Sequence, residues 1–126
     1  MSQEPESPAP PAELRLRIRV TRGEDIAIGP GKIALLEAIR EHGSITLAAR
    51  QIGMSYRRAW MLLDEVNRSL RRPATTSAQG GQRGGGSVLT AEGETVVRLY
   101  REIERQAEQA CAAQITALLA MVGDPE

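Results

Sequence analysis

The chain has 126 residues, enough for one domain, and its 41% apolar content suffices for a modest core. Sixteen basic residues balance sixteen acidic ones, so the net charge of zero neither favours nor excludes a nucleic-acid partner. A single cysteine and a single histidine exclude a disulfide framework and argue against a zinc site, so no metal and no cofactor are expected. Because no acid–base pair or nucleophile assembly is apparent, we expect no enzyme activity.

The beginning of the chain shows no targeting signal. It lacks the basic-then-apolar pattern of a signal peptide, and no apolar run approaches the length of a membrane span. We therefore predict a cytoplasmic protein without a membrane partner. Residues 1–13 contain four prolines among Glu, Ser and Ala, a composition that predicts a disordered tail.

Strict alternation of apolar and arginine residues over 14–20 predicts a half-buried strand, followed by a turn and a short returning strand at 26–28. The arginines of the first strand line the outer face of this hairpin, either as a solvated surface or as a contact to phosphate or a partner. A first helix is expected from Lys32 to His42. Its predicted inward residues are Ile33, Leu35, Leu36 and Ile39.

Two short amphipathic helices follow, joined by a tight turn at Gly53, a residue suited to left-handed backbone. Ser44 and Ser55 are placed to cap their first turns. Leu47, Ala48 and Ile52 are expected to face inward from the first of these helices. The second carries a stripe at helical spacing, formed by Ala59, Leu62, Leu63, Val66 and Leu70.

Pro73 ends the helical structure, and strands at 74–77 and 87–90 flank a glycine-rich segment over 79–86. This segment lacks the Lys-Ser/Thr that would end a phosphate-binding P-loop. Two interpretations remain open: a flexible linker, or the tip of a β-hairpin wing that carries Arg83 towards a DNA backbone.

The last predicted helix is capped by Thr90 and continues to Val122, further than the core it covers. Its second half has no partner within the chain, so we predict that it holds a homodimer together, with Cys111 as a small buried apolar residue. The predicted dimer interface comprises Ile103, Ala107, Ala110, Cys111, Ile115, Leu118 and Val122.

The segment Gly43-Ser-Ile-Thr-x-Ala-Ala-x-x-Ile-Gly-Met-Ser-Tyr-Arg-x-Ala-Trp60, with the glycine-rich loop and Leu89-Thr-x-x-Gly93, resembles the DNA-binding domain of the molybdate-responsive ModE regulators. It is more loosely similar to the LysR-type helix-turn-helix. The resemblance implies a mainly α fold: a winged helix-turn-helix with a three-helix core, a β-hairpin wing and an N-terminal β-hairpin. The expected segments are a tail (1–13), this domain (14–90), a long dimerisation helix (91–122) and a tail (123–126). Full ModE proteins continue into molybdate-binding domains, so molybdate is not expected as a ligand of this chain.

Residues 50–90 hold seven arginines against two acidic residues, which is a charge distribution typical of a DNA face. We therefore predict a sequence-specific, dimeric transcriptional regulator that binds double-stranded DNA at a palindromic operator. The second helix of the helix-turn-helix pair would lie in the major groove, and the wing would contact the DNA backbone. The alternative is a winged-helix adaptor that binds protein and not DNA. The predicted DNA-binding residues are Thr46, Ser55, Tyr56, Arg57, Arg58, Arg68 and Arg83.

Overall fold

The computed structural model describes residues 9–77 and 86–124. Over these residues the chain forms two short antiparallel sheets and five helices. In chain order the elements are β1 (Val20–Arg22), β2 (Asp25–Ile28), α1 (Pro30–His42), α2 (Ile45–Gln51), α3 (Tyr56–Ser69), β3 (Thr75–Ser77), β4 (Ser87–Leu89), α4 (Ala91–Ala110) and α5 (Ala112–Leu119).

The N-terminal hairpin is shorter than the alternation predicts. β1 and β2 pair antiparallel around a turn at Gly23, whose φ of 62° is left-handed. The predicted period-two burial is present over residues 14–19, because the arginines are exposed and the apolar residues between them are half-buried. The predicted strand at 14–20 is nevertheless wrong except for its last residue. β2 has only four residues, so the stretch before Val20 has no β2 residues with which to pair.

Three helices form the core, and the predicted inward face of α1 is confirmed. Ile33, Leu35, Leu36 and Ile39 are all fully buried. They pack with Ala48 and Ala49 of α2 and with the buried face of α3, formed by Ala59, Leu63 and Val66. The prediction for Leu47 is wrong: its side chain is 46% exposed, because the two alanines that follow it occupy the helix crossing instead.

Local signals set where the helices begin. Ser44 Oγ accepts from the backbone N–H of Leu47, and Ser55 Oγ accepts from that of Arg58, each at 3.1 Å. Between the two helices Gly53 has a φ of 69°, which residues with a β-carbon rarely adopt. The predicted caps and turn are therefore confirmed, and they fix the angle at which α3 leaves α2.

The start of α4 crosses very close to the segment before β3. Thr90 caps α4 by accepting from the Gly93 N–H at 3.1 Å, and its backbone N–H donates to the Ala74 carbonyl oxygen at 2.9 Å. A β-carbon on Gly93 would lie 2.2 Å from that same oxygen. Glycine is therefore required here by close backbone approach, since Ala74 is itself fully buried and held by Asn67.

The predicted fold class, a mainly α winged helix-turn-helix with one long C-terminal dimerisation helix, is wrong. The described residues form five helices and two separate two-stranded sheets, and the helix expected over 91–122 is divided into α4 and α5. At Cys111 the backbone has φ −105° and ψ 14°, which interrupts the α-helix. α5 contains no buried residue, and without a packed face helical propensity alone does not keep a helix continuous.

Candidate functional site

A cleft of about 830 Å³ lies between the N-terminal hairpin, the start of α1 and one face of α3. Its rim is strongly basic, with six basic side chains against three acidic ones. The basic residues are Arg17, Arg19, Arg22, Lys32, Arg58 and Arg68, and the acidic ones are Glu24, Asp25 and Glu65. The lining therefore has a surplus of positive charge, which the Asp64 carboxylate paired with Arg68 reduces but does not cancel. This surplus attracts anions, and a concave surface strengthens that attraction.

The two walls carry their arginines for simple geometric reasons. On the hairpin side, Arg17 and Arg19 are two residues apart, so in an alternating segment they occupy the same, exposed face. On the helical side, Arg58, Leu62, Glu65 and Ser69 follow one another at spacings of three or four residues. That spacing places them on one face of α3, beside the face that is buried in the core.

The stretch bearing Arg17 and Arg19 is held from the far side by α4. The Tyr100 hydroxyl donates a 2.8 Å hydrogen bond to the carbonyl oxygen of Ile18, between the two arginines. Tyr100 is almost fully buried, and this burial raises the pKa of its phenol, assisted by the charge of Glu104. The phenol therefore remains a hydrogen-bond donor at neutral pH and fixes this part of the hairpin wall.

The seven residues predicted to bind DNA lie in different parts of the structure. Arg58 and Arg68 line the cleft, and Arg68 also pairs with Asp64 at 3.0 Å. Tyr56 and Arg57 are exposed in the first turn of α3 but do not line the cleft, and Thr46 is exposed on α2. The remaining two are Ser55, which caps α3, and Arg83, which lies outside the described residues. No observation tests their contact with DNA, so these assignments stay predictions.

The residues predicted to form a dimer interface are mostly exposed and lie on, between or just after the last two helices. Ala107 and Ile115 are half-buried, and the others are open to solvent. The others are Ile103, Ala110, Cys111, Leu118 and Val122. Cys111, predicted to be buried, is exposed at the junction between α4 and α5, where the helix is interrupted. The interface assignment is untested and stays a prediction.

A second charged group joins α1 to α4 and acts structurally. Arg101 donates two hydrogen bonds to the carboxylate of Glu37, at 3.0 and 2.5 Å, and a third to Glu104 at 2.7 Å. The hydrogen bonds that Arg101 donates to Glu37, and the charges of Arg101 and Arg40, hold the pKa of Glu37 below its ordinary value of 4.5 despite partial burial. The ionised carboxylate therefore stabilises the packing of α4 on α1.

The Arg101–Glu37 pair should make the stability of the fold sensitive to acid. Because the pKa of Glu37 is lower in the folded chain than in the unfolded one, its stabilising effect is complete above about pH 5 and is lost as pH falls through the folded value. Glu37→Gln should flatten the decline in unfolding free energy below pH 5, measured by urea unfolding at several pH values. Arg101→Met should flatten it too, and an acid limb unchanged by both variants would contradict the assignment.

Other site classes find no support in the part of the chain described here. Residues 9–77 and 86–124 contain no group of three or more His, Cys, Asp or Glu side chains suited to hold a metal ion. Within the same residues, no helix has both the length and the apolar character to cross a membrane.

Several known proteins are similar to this chain over part of their length. The chain is 46% identical over 77 residues to the molybdenum-pterin-binding protein MopB of Rhodobacter capsulatus, covering 61% of this chain and 28% of MopB. It is 36% identical over 98 residues to the molybdenum transport protein ModE of Azotobacter vinelandii, covering 76% of this chain and 36% of that protein. It is 35% identical over 89 residues to the DNA-binding transcriptional dual regulator ModE of Escherichia coli, covering 71% of this chain and 33% of the regulator. These relatives point to the ModE family. No protein-family model matches the chain.

The relatives correct two predictions. Molybdenum is named for two of these three ModE-family proteins and DNA for one, while the chain spans only about a third of their lengths. The predicted function, a sequence-specific dimeric DNA-binding regulator with an adaptor as the alternative, is therefore wrong. For the same reason two of the predicted partner assignments are wrong, namely operator DNA and the expectation that molybdate does not bind. A second copy of the chain stays a prediction.

Sequence reasoning missed the cleft because its walls are distant in sequence. The arginines at 15–19 were predicted to form either a solvated surface or a contact to phosphate or a partner, and Lys32 was interpretable only as the start of a helix. The available signal was the arginine at every second position followed by the Gly-Pro-Gly break, which brings a basic segment next to the start of α1.

Proposed function

We propose that this chain binds a molybdenum oxyanion in the cationic cleft between the β1–β2 hairpin, the start of α1 and α3. The observation that carries the proposal is the convergence of six basic side chains from these three regions on one space. Molybdate is a dianion, and guanidinium groups donate charge-assisted hydrogen bonds to paired anionic oxygens. The surplus of positive charge in the cleft is sufficient to neutralise such a ligand.

The cleft volume and the relatives support the same class of ligand. A space of about 830 Å³ is larger than one tetrahedral anion requires, so it leaves room for an organic group such as a pterin. MopB, whose name states molybdenum-pterin binding, matches this chain over 77 residues. We propose ligand binding without catalysis. We also propose a cytoplasmic location, because the one cysteine of the chain has no second cysteine with which to form a disulfide.

Isothermal titration calorimetry tests the proposal directly. We expect saturable molybdate binding with a dissociation constant on the order of 10–100 µM at low ionic strength, corresponding to a few charge-assisted hydrogen bonds at an exposed site. The affinity should fall as sodium chloride is added, because screening weakens the attraction between exposed charges. Titration of sodium chloride alone to the same ionic strength is the control for dilution and screening heats.

Two outcomes would contradict the proposal. The first is the absence of a saturable signal up to about 1 mM molybdate, the range in which weak ligand binding is still measurable. The second comes from a parallel anisotropy titration of fluorescent duplex DNA. If the duplex is bound and molybdate is not, the arginines of the cleft contact phosphodiester groups and not a molybdenum oxyanion.

A further inference from the structure

Thr90 belongs to the β3–β4 hairpin and to α4 at the same time. It follows Leu89, the last residue of β4, and it caps α4 by accepting from the Gly93 N–H at 3.1 Å. Its backbone N–H donates to the Ala74 carbonyl oxygen at 2.9 Å, which adds one rung to the β3–β4 ladder. The Thr90 hydroxyl also donates to the Pro73 carbonyl oxygen at 2.7 Å. One residue therefore closes the base of the hairpin and begins α4.

The base of this hairpin is held to α3 by the side chain of Asn67, in the last turn of that helix. The Asn67 Oδ1 accepts from the Ala74 N–H at 2.8 Å, and its Nδ2 donates to the Thr75 hydroxyl at 3.2 Å. A backbone hydrogen bond of 2.9 Å from the Ser87 N–H to the Gly43 carbonyl oxygen holds β4. All residues of β3 and β4 are exposed or half-buried, so these polar contacts carry much of the attachment.

We infer that the β3–β4 hairpin and the first turn of α4 open as one unit, and that Asn67 anchors this unit to α3. Proteins open locally in cooperative units, and here Thr90 joins the two parts. If the hairpin opens, Thr90 is displaced with it and no longer satisfies the free N–H groups at the start of α4. A side chain of α3 thereby controls the start of α4, although its hydrogen bonds go to Ala74 and Thr75. This coupling does not depend on any ligand of the cleft.

Residue-resolved amide hydrogen exchange on the full chain, at several low urea concentrations, tests the coupling. In the natural chain, the hydrogen-bonded amides of Thr90, Gly93 and Glu94 should share one opening free energy and one urea dependence with those of β3 and β4. All of them should exchange faster than the amides on the buried face of α1, which is the centre of the core.

Asn67→Ala removes the anchor and leaves every atom of α4 in place. It should raise exchange about tenfold at Thr90, Gly93 and Glu94, because two neutral hydrogen bonds of modest net strength are lost. β3 and β4 should accelerate by the same factor. Ser69→Ala is the matched control, since it removes a hydroxyl at the same end of α3 that donates only within that helix, to the Glu65 carbonyl oxygen at 2.7 Å. It should change these rates by no more than about threefold.

Thr90→Val tests the coupling from the other side. It removes the cap of α4 and the hydrogen bond to Pro73, and it should accelerate the hairpin as much as the first turn of α4, by about tenfold. Thr95→Val is the control, because the Thr95 hydroxyl donates within α4, to the Ala91 carbonyl oxygen at 2.9 Å. Its effect should stay within α4.

Three results would overturn the inference. In the first, Asn67→Ala accelerates the hairpin and leaves the first turn of α4 unchanged. In the second, Ser69→Ala accelerates both as strongly as Asn67→Ala does, so that any change at the end of α3 has this effect. In the third, the hairpin and the start of α4 differ in opening free energy or urea dependence in the natural chain, a measurement that requires no variant to fold.

Discussion

Gly93→Ala should destabilise the fold by about 3 kcal/mol, the upper end of the range for a group forced into a packed interior. The added β-carbon would lie 2.2 Å from the carbonyl oxygen of Ala74 and 3.0 Å from its carbonyl carbon. These are backbone atoms, so no side-chain rotation relieves the clash. The Ala74 carbonyl also accepts from Thr90 N–H, so a shift of α4 would strain the cap of that helix. Urea unfolding at neutral pH measures the effect.

Gly31→Ala is the matched control for this substitution. Gly31 also lies in the first turn of a helix, but apart from its own helix backbone and adjacent residues no atom lies within 4 Å of the position that its β-carbon would take. Alanine there should stabilise the chain by about 0.5–1 kcal/mol, because it restricts the unfolded backbone and favours the helix. A Gly93→Ala variant within about 0.5 kcal/mol of the natural chain would contradict the close crossing, since surface substitutions fall in that range.

Features controlled by neighbouring residues could be predicted from the sequence. Ser44, Ser55 and Thr90 each bond to a backbone N–H three residues further on, and so their caps depend only on local spacing. The buried face of α1 follows from the helical repeat of its apolar residues. Gly53 could be predicted as a turn residue because left-handed backbone favours glycine.

Features controlled by distant residues could not be predicted in this way. The Lys32–Glu65 pair joins residues 33 positions apart, and the Arg101–Glu37 hydrogen bonds join residues 64 positions apart. Gly93 could be recognised from the sequence only as part of the Leu89-Thr-x-x-Gly93 motif, because the residue that requires a glycine there, Ala74, belongs to another part of the fold. The walls of the cleft come from elements that are distant in sequence. The cleft could therefore be recognised only from the structure.

The break at Cys111 illustrates a different limit. The sequence around it contains neither proline nor glycine, and its apolar spacing continues through the break. Periodicity therefore predicted one helix where the structure has two. Periodicity indicates which face of a helix would be buried if a partner were present. It does not show that the partner exists within the chain, and α5 has no buried residue.

Arg58→Glu should reduce molybdate affinity on the order of 100-fold, because it removes a charge-assisted donor from the cleft and replaces it with a repulsive charge. Arg58 lines the cleft from the first turn of α3, opposite the hairpin arginines. It is exposed and its side chain is not part of the core, so the fold should be retained. Calorimetry measures the affinity, and circular dichroism with urea unfolding checks that the helices and the stability are unchanged.

Arg57→Glu is the matched control, since it changes the net charge of the chain by the same amount. Arg57 precedes Arg58 on α3 and is also exposed, but one residue along a helix turns its side chain by about 100° and it does not line the cleft. At about 0.15 M salt the Debye length is about 8 Å, so a charge outside the cleft should change molybdate affinity by no more than about threefold. Equal losses in the two variants would show that anions respond to the overall field of α3, and would contradict a site built from the arginines of the cleft.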